Sequence, residues 1–361
     1  MTPLTPPWHA GPLQAAIEVA GVTDVLVNGP DDVWIDRGGG LERTEIRFAS
    51  VGEVRELAVR LASLGGRRLD DASPLVDARL PDGTRLHAAL PPIVDGSAAI
   101  SLRTVRTRAL TLDDLVFGGT VAPRIARVLS QLVASRASLL ITGATGSGKT
   151  TLLATLLSLV DGAERIVVIE EAGEVNPQHP HVVRLVERRA NVDGAGEVSL
   201  SRLVREALRM RPDRIVLGEC RGAEVRDVLT ALNTGHKGGM ATLHANAPAD
   251  VPARLCALGA LAGMDRRATD LHAAAAFDAV IHLEKTASGR RVTDVAVLRA
   301  HHGWHRETPL CVETALSVGV DGTVEEGPAW PDLRALLGWQ DDSADDGRPP
   351  AGAGEWMGMA A

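Results

Sequence analysis

Gly143-Ala144-Thr145-Gly146-Ser147-Gly148-Lys149-Thr150 is the stretch whose reading decides the fold. It satisfies G-x-x-x-x-G-K-[ST], the pattern of a phosphate-binding loop. Ser138-Leu139-Leu140-Ile141-Thr142 before it is short and apolar and predicts a buried strand; Thr151 to Leu157 after it predicts a helix. Strand, glycine loop and helix form the context in which the motif has chemical meaning. The glycines let the backbone adopt φ > 0 and approach a ligand closely. The loop N–H groups can then cradle phosphate oxygens, with the positive end of the helix behind them. The residues from Gly143 to Thr150 (Gly143, Ala144, Thr145, Gly146, Ser147, Gly148, Lys149, Thr150), with Thr151 following, are the candidate nucleotide-binding set. Lys149 can reach the β- and γ-phosphates, and the Thr150 hydroxyl is the candidate Mg²⁺ ligand.

Downstream, Arg165 to Ile169 is a β-branched apolar run fit for a buried parallel strand, and it ends in Glu170-Glu171 with Glu174 three residues on. Active-site residues of open α/β sheets gather at such strand ends. The paired carboxylates could hold Mg²⁺ waters or orient a nucleophilic water; alone, they would read as a solvated acidic loop. His181 to Val186 is a further strand and Asn191 to Gly196 a polar loop. Leu200, Leu203, Val204, Ala207 and Leu208 form a helical stripe. Asp213 to Glu219 is a second apolar strand ending in a carboxylate, placed as the acidic element that partners a phosphate loop, with Glu219 poised to polarise water. Glu224 to Asn233 reads as a helix. The stretch Gly235 to Asn246 carries His236 and His244 around a glycine turn and a short strand. A lone histidine is ordinarily structural; at a strand end near a γ-phosphate, His244 could donate a hydrogen bond and report the nucleotide state.

The first third of the chain reads as a mixed α+β module. A helix is expected over Gln14 to Ala20, and strands over Val22 to Asn28, Val33 to Arg37 and Leu41 to Phe48. A helix over Val51 to Leu64 ends at Gly65-Gly66, and a hairpin turns at Pro81-Asp82-Gly83, with another strand at Ile100 to Arg103. Arg79, Arg85, Arg103 and Arg106 read individually as surface charge; Arg103 and Arg106 also lie just before the linker, where they could reach a bound phosphate. The expected organisation is an N-terminal domain over 1–106, a linker over 107–114, a nucleotide domain over 115–330 and an acidic, Gly/Pro-rich, disordered tail over 331–361 with one helical patch at Leu333 to Leu337.

Four motifs stand here in the order seen in type II/type IV secretion ATPases: the phosphate loop, Ile169 to Glu174, Gly218-Glu219-Cys220-Arg221-Gly222, and Gly235 to Asn246. The chain resembles the Tad/Flp pilus-assembly subgroup most, through Ala207 to Arg214, Asn233 to His236, Thr242 to Asn246, Val27 to Pro30 and Val76 to Gly83. The resemblance covers about residues 13–300. It implies a RecA-like P-loop ATPase domain, hence an α/β fold, preceded by a smaller α+β, PAS-like domain. It further implies a homohexamer that binds ATP and Mg²⁺ between the domains and acts on an inner-membrane platform protein. Carried over by position, Glu219 is the catalytic carboxylate, Glu170 or Glu174 assists, His244 senses phosphate, and Arg103 closes from the N-terminal side. The acidic box of this group usually reads Glu-Asp; here Glu171 stands in place of the Asp, and the four-cysteine zinc module of some relatives is absent.

Composition narrows the alternatives. The 361 residues are 45% hydrophobic with a net charge of −8, which weighs against a nucleic-acid surface and so against a DNA-handling ATPase. The changed acidic box keeps open a nucleotide-binding regulator with little turnover. Cys220, Cys256 and Cys311 show no metal-ligand spacing and read as reduced thiols. His301, His302 and His305 lack a completing carboxylate or cysteine and read as a loop. No apolar run reaches a membrane span and no signal peptide opens the chain. The expected location is therefore cytoplasmic, peripheral to the inner membrane face through partners.

Overall fold

The computed structural model describes residues 10–19, 21–104, 110–188, 196–286, 289–300, 302–303, 306–307, 310–319 and 321–339. Arg106, most of the polar loop before Gly196, His301, His305 and the acidic tail from residue 340 lie outside the described residues.

The N-terminal third begins with a short helix α1 (Gln14–Ile17) and strands β1 (Asp24–Gly29), β2 (Asp32–Asp36) and β3 (Leu41–Arg43). Helix α2 (Val51–Leu64) follows, then β4 (Leu75–Arg79), β5 (Arg85–Ala89) and β6 (Ala99–Arg103). The strands make one antiparallel sheet in the order β3-β2-β1-β6-β5-β4. Alternating burial in β1 and β2 shows one face turned to a core. Val54, Leu57, Ala58, Leu61 and Ala62 of α2 cover that face. Helix α2 starts at Ser50, whose hydroxyl accepts from the Glu53 N–H while the Glu53 carboxylate accepts from Ala49 N–H, an N-terminal cap that fixes its first turn.

The remainder forms a nine-stranded sheet flanked by helices. Helices α3 (Leu112–Phe117) and α4 (Pro123–Ala134) lead into β7 (Leu139–Gly143), the phosphate loop and α5 (Lys149–Leu157). Then come β8 (Ile166–Glu170), β9 (Val182–Val186), α6 (Leu200–Ala207), β10 (Arg214–Cys220), α7 (Glu224–Asn233) and β11 (Met240–His244). The chain continues through α8 (Val251–Leu261), α9 (Arg266–Ala276), β12 (Ala279–Thr286), β13 (Gly289–Arg299) and the small pair β14 (His302–Gly303) and β15 (Arg306–Glu307). It closes with β16 (Cys311–Val318), β17 (Val324–Glu326) and α10 (Trp330–Leu337).

The order is β17-β16-β13-β12-β7-β11-β10-β8-β9. From β12 to β9 neighbouring strands run parallel; β13, β16 and β17 extend the sheet antiparallel. Both faces are covered, as parallel strands require. Leu139 and Ile141 of β7 point to a core shared with α4, α5 and α10, and Leu140 points to the opposite core shared with α6, α7, α8 and α9.

Three expectations change. Residues 112–114 belong to α3, not to a linker, because Thr111 and Asp114 cap that helix reciprocally. The ordered body passes residue 331, because Trp330 and Leu333 of α10 are buried in the larger core. The strand expected over Leu41 to Phe48 is only three residues long, and Phe48 instead tucks into the N-terminal core.

Candidate functional site

The strand order brings four chain segments to one edge. Gly143, Glu170, Glu219 and His244 all lie at the C-terminal ends of neighbouring parallel strands, with His244 directly beside Gly143 in register. The loop can turn here because a side chain could not: a Cβ at Gly143 would lie 2.3 Å from the Leu283 carbonyl oxygen, and the residue sits at φ +148°. Gly146 and Gly148 are also left-handed, at φ +74° and +102°. The loop, His244 and Glu219 form one side of a cleft of about 380 Å³. Thr23, Arg85, Arg103 and Thr104 of the N-terminal third form the other.

Lys149 is nearly buried and donates to the carbonyls of Gly143 and Ala144, 2.9 Å each. Burial pulls its ammonium below the ordinary lysine value, partly opposed by the charge of Glu219. Its Nζ also lies 3.3 Å from His244 Nδ1. An ammonium only donates, so that nitrogen must be unprotonated and the neutral ring carries its proton on Nε2. Burial, then the neighbouring Lys149 charge, holds His244 below the ordinary histidine value. His244 Nε2 faces Glu219 Oε1 at 2.6 Å, in an electrostatic contact aligned too poorly for a hydrogen bond. Arg221 takes the other oxygen of Glu219 at 2.6 Å and reaches Glu171 Oε2 at 2.8 Å. It thereby bridges the tips of β10 and β8.

Glu170 is buried at 4% exposure behind this layer. Its Oε1 accepts the N–H groups of Glu174 and Val175 at 2.7 and 2.8 Å, while Oε2 has no hydrogen-bond partner among the described residues. Burial pushes its carboxyl up to about 6. The backbone of Gly218 makes room for it: a Cβ there would stand 2.7 Å from Glu170 Cγ. Glu174 turns the other way, to Arg85 at 3.1 Å, and Arg79 donates to the Gly173 carbonyl at 2.7 Å.

Of the residues singled out in the sequence, Thr145, Gly146, Gly148, Lys149, Thr150, Thr151, Glu174, Glu219, His244 and Arg103 line the cleft. Arg103 pairs there with Asp24 at 3.1 Å. Glu170 lies behind the cleft wall. Arg85 both lines the cleft and joins the acidic box. Sequence reasoning missed Asn176, Arg221 and Arg290 as cleft residues. Arg221 stood inside a quoted motif without a role; Arg290 lies in no motif.

The donors present suit a nucleoside triphosphate and its divalent cation. Lys149 and the loop glycines face the cleft, the buried Ser147 hydroxyl has no hydrogen-bond partner among the described residues, and carboxylates stand opposite.

The type II/IV secretion system protein profile matches residues 9–302. A Mycobacterium tuberculosis protein with a provisional conjugal-transfer name is 49% identical over 320 residues, covering 85% of this chain and 91% of its own. The conjugal transfer protein TrbB of Rhizobium radiobacter is 31% identical over 301 residues, covering 82% and 90%. Among solved structures, the Legionella pneumophila ATPase DotB superposes with a TM-score of 0.56 at 23% identity over 79% of each chain. That likeness shows the fold, a RecA-like α/β body preceded by a smaller α+β portion. On its profile match and its relatives alike, this chain belongs to the type II/IV secretion system protein family, a family of secretion ATPases.

Proposed function

We propose that the chain is a Mg²⁺-dependent ATPase motor, working as a homohexamer with an inner-membrane platform protein. Its work is assembly of a Tad/Flp-type pilus or export of macromolecules through a related secretion or conjugal-transfer machine. We further propose a division into an N-terminal domain ending near residue 104 and an ATPase domain from Thr111 to at least Trp339. The observation that carries this reading is the cleft itself. The phosphate loop, Glu219 and His244 meet arginines of the N-terminal third across a space sized for a nucleotide.

In this reading Lys149 leaves the loop carbonyls for the β- and γ-phosphate oxygens, and the loop N–H groups orient the triphosphate. Thr150 holds Mg²⁺, which supplies charge neutralisation on the phosphates. Glu219 turns from Arg221 to an attacking water and takes its proton, and Glu170 or Glu174 assists. His244, beside both Lys149 and Glu219, registers whether the γ-phosphate is present. Arg103 closes from the N-terminal side.

Steady-state ATPase assays with Mg²⁺, alongside light scattering, test this. Lys149→Ala is expected to lose nucleotide binding. Glu219→Gln should keep binding and lose about 10²–10⁴ in turnover, the range for a positioned general base. Unchanged turnover in Glu219→Gln would move the base to Glu170 or Glu171. A wild-type hexamer that binds ATP without hydrolysing it would replace the motor with a nucleotide-binding regulator.

A further inference from the structure

The strands β12 and β13 form a hairpin that reaches past the sheet edge and over the phosphate loop, with Leu283 beside Gly143 and Lys285 opposite Arg290. Arg290 comes off this hairpin and lines the cleft. Its Nε–H donates to the carbonyl of Gly146, at the crest of the loop, at 2.8 Å. Its aliphatic stem passes over Gly148, where a Cβ would already be 3.3 Å from Arg290 Cδ. The side chain is exposed.

The other guanidinium groups lining the cleft are each compensated. Arg85 pairs with Glu174, Arg103 with Asp24, and Arg221 with Glu219 and Glu171. Arg290 differs: among the described residues it meets no carboxylate, and its hydrogen-bond partner is a neutral carbonyl. A guanidinium prefers an anionic, two-pronged acceptor to a single amide oxygen. The cleft thus keeps one uncompensated arginine against the loop that holds phosphate.

We infer that Arg290 is a further nucleotide-binding residue, which contacts the phosphate chain of the bound nucleotide and so ties occupancy of the loop to the β12–β13 hairpin. The inference rests on the nucleotide reading of the cleft and adds a residue outside the phosphate loop, the acidic motifs and the N-terminal arginines. The contact is noncovalent: the guanidinium exchanges the Gly146 carbonyl for phosphate oxygens, or bridges both.

Arg290→Gln and Arg290→Lys separate this role from that of a mere loop tether. Glutamine keeps a neutral donor for the Gly146 carbonyl and removes the charge; lysine keeps the charge. Fluorescent analogues of ATP and AMP are titrated against the full-length wild type and both variants, with thermal melts to verify folding. If Arg290 binds phosphate, Arg290→Gln weakens the ATP analogue by about tenfold, the scale of one charge-assisted hydrogen bond. The AMP analogue should change far less, and Arg290→Lys should recover most of the loss. If Arg290→Gln binds both analogues as wild type does, the inference is overturned while the nucleotide site stands. Equal losses for both analogues in the glutamine and lysine variants would also overturn it, leaving Arg290 a structural tether. If the wild type binds neither analogue, the nucleotide reading fails and this inference with it.

Discussion

Glu170 shows how far one residue can depart from its type. Its carboxyl lies behind the cleft, with two backbone amides on one oxygen and, among the described residues, no hydrogen bond on the other. Burial raises it from 4.5 to about 6. Between those values the native protein holds a proton that the unfolded chain has released. Its stabilising contribution is therefore present below about 4.5 and is lost as pH rises through 6. At neutral pH the charged form costs about 2 kcal/mol, taking 1.36 kcal/mol per pKa unit. Glu170→Gln keeps the acceptor for both amides and removes the charge. It is expected to be more stable than wild type by up to about 2 kcal/mol at pH 8, with the gain gone at pH 4. Urea titrations across that range check this, and a gain independent of pH would contradict it. Gly218 belongs to the same feature, since any larger residue there would displace Glu170 from its pocket.

At the scale of elements, Arg214 opens β10 and staples two neighbours to it. It is fully buried and donates to Glu164 at 2.9 and 3.0 Å and to the Val133 carbonyl that ends α4 at 3.0 Å. Arg214→Ala leaves Glu164, in a largely buried position, paired with the half-exposed Arg136 at 3.1 Å and is expected to cost about 3 kcal/mol. Glu164→Ala added to it should cost less than the sum of the two, because both remove one interaction. Chemical denaturation of the two single variants and the double variant checks this. Elements such as α2 and α7 were legible to the residue, because periodic apolar faces end at a cap or at a glycine. Strands β8 and β10 were legible because a parallel strand buried on both faces is a continuous apolar run. Helices α8 and α9 were not read. Proline stands in the first turn of α8, and the alanines of α9 give its two faces little contrast. Within the site, Lys149, Glu219 and His244 were legible because each belongs to a local motif. The Arg221 bridge to Glu171 and the reach of Arg290 were not, since each joins residues far apart in sequence that only the strand order brings together.

For the whole molecule, polar contacts join the N-terminal sheet to the ATPase body at the acidic box. Arg79 meets the Gly173 carbonyl and Arg85 meets Glu174, both at the acidic box beside the cleft. The Arg85–Glu174 pair is more than a third exposed on each side, so its static worth lies under about 1 kcal/mol. Arg85→Ala is thus expected to leave the melting temperature almost unchanged while lowering turnover by about tenfold or more, the effect of removing a cation across the proposed nucleotide site. Melting curves and kcat measured on the same preparation separate the two effects, and a large loss of stability with normal kcat would make Arg85 a structural strut. The opposite border of the molecule is built differently. There Trp330 is buried, meets Trp339 edge to face at 5.7 Å, and lies under the guanidinium of Arg124. Three hydrogen-bonded ladders, β16 to β13, β13 to β12 and β12 to β7, separate that corner from Gly143. For anyone wishing to watch this protein at work, a fluorophore attached at Leu336, exposed on α10, sits on that anchored corner and away from the cleft.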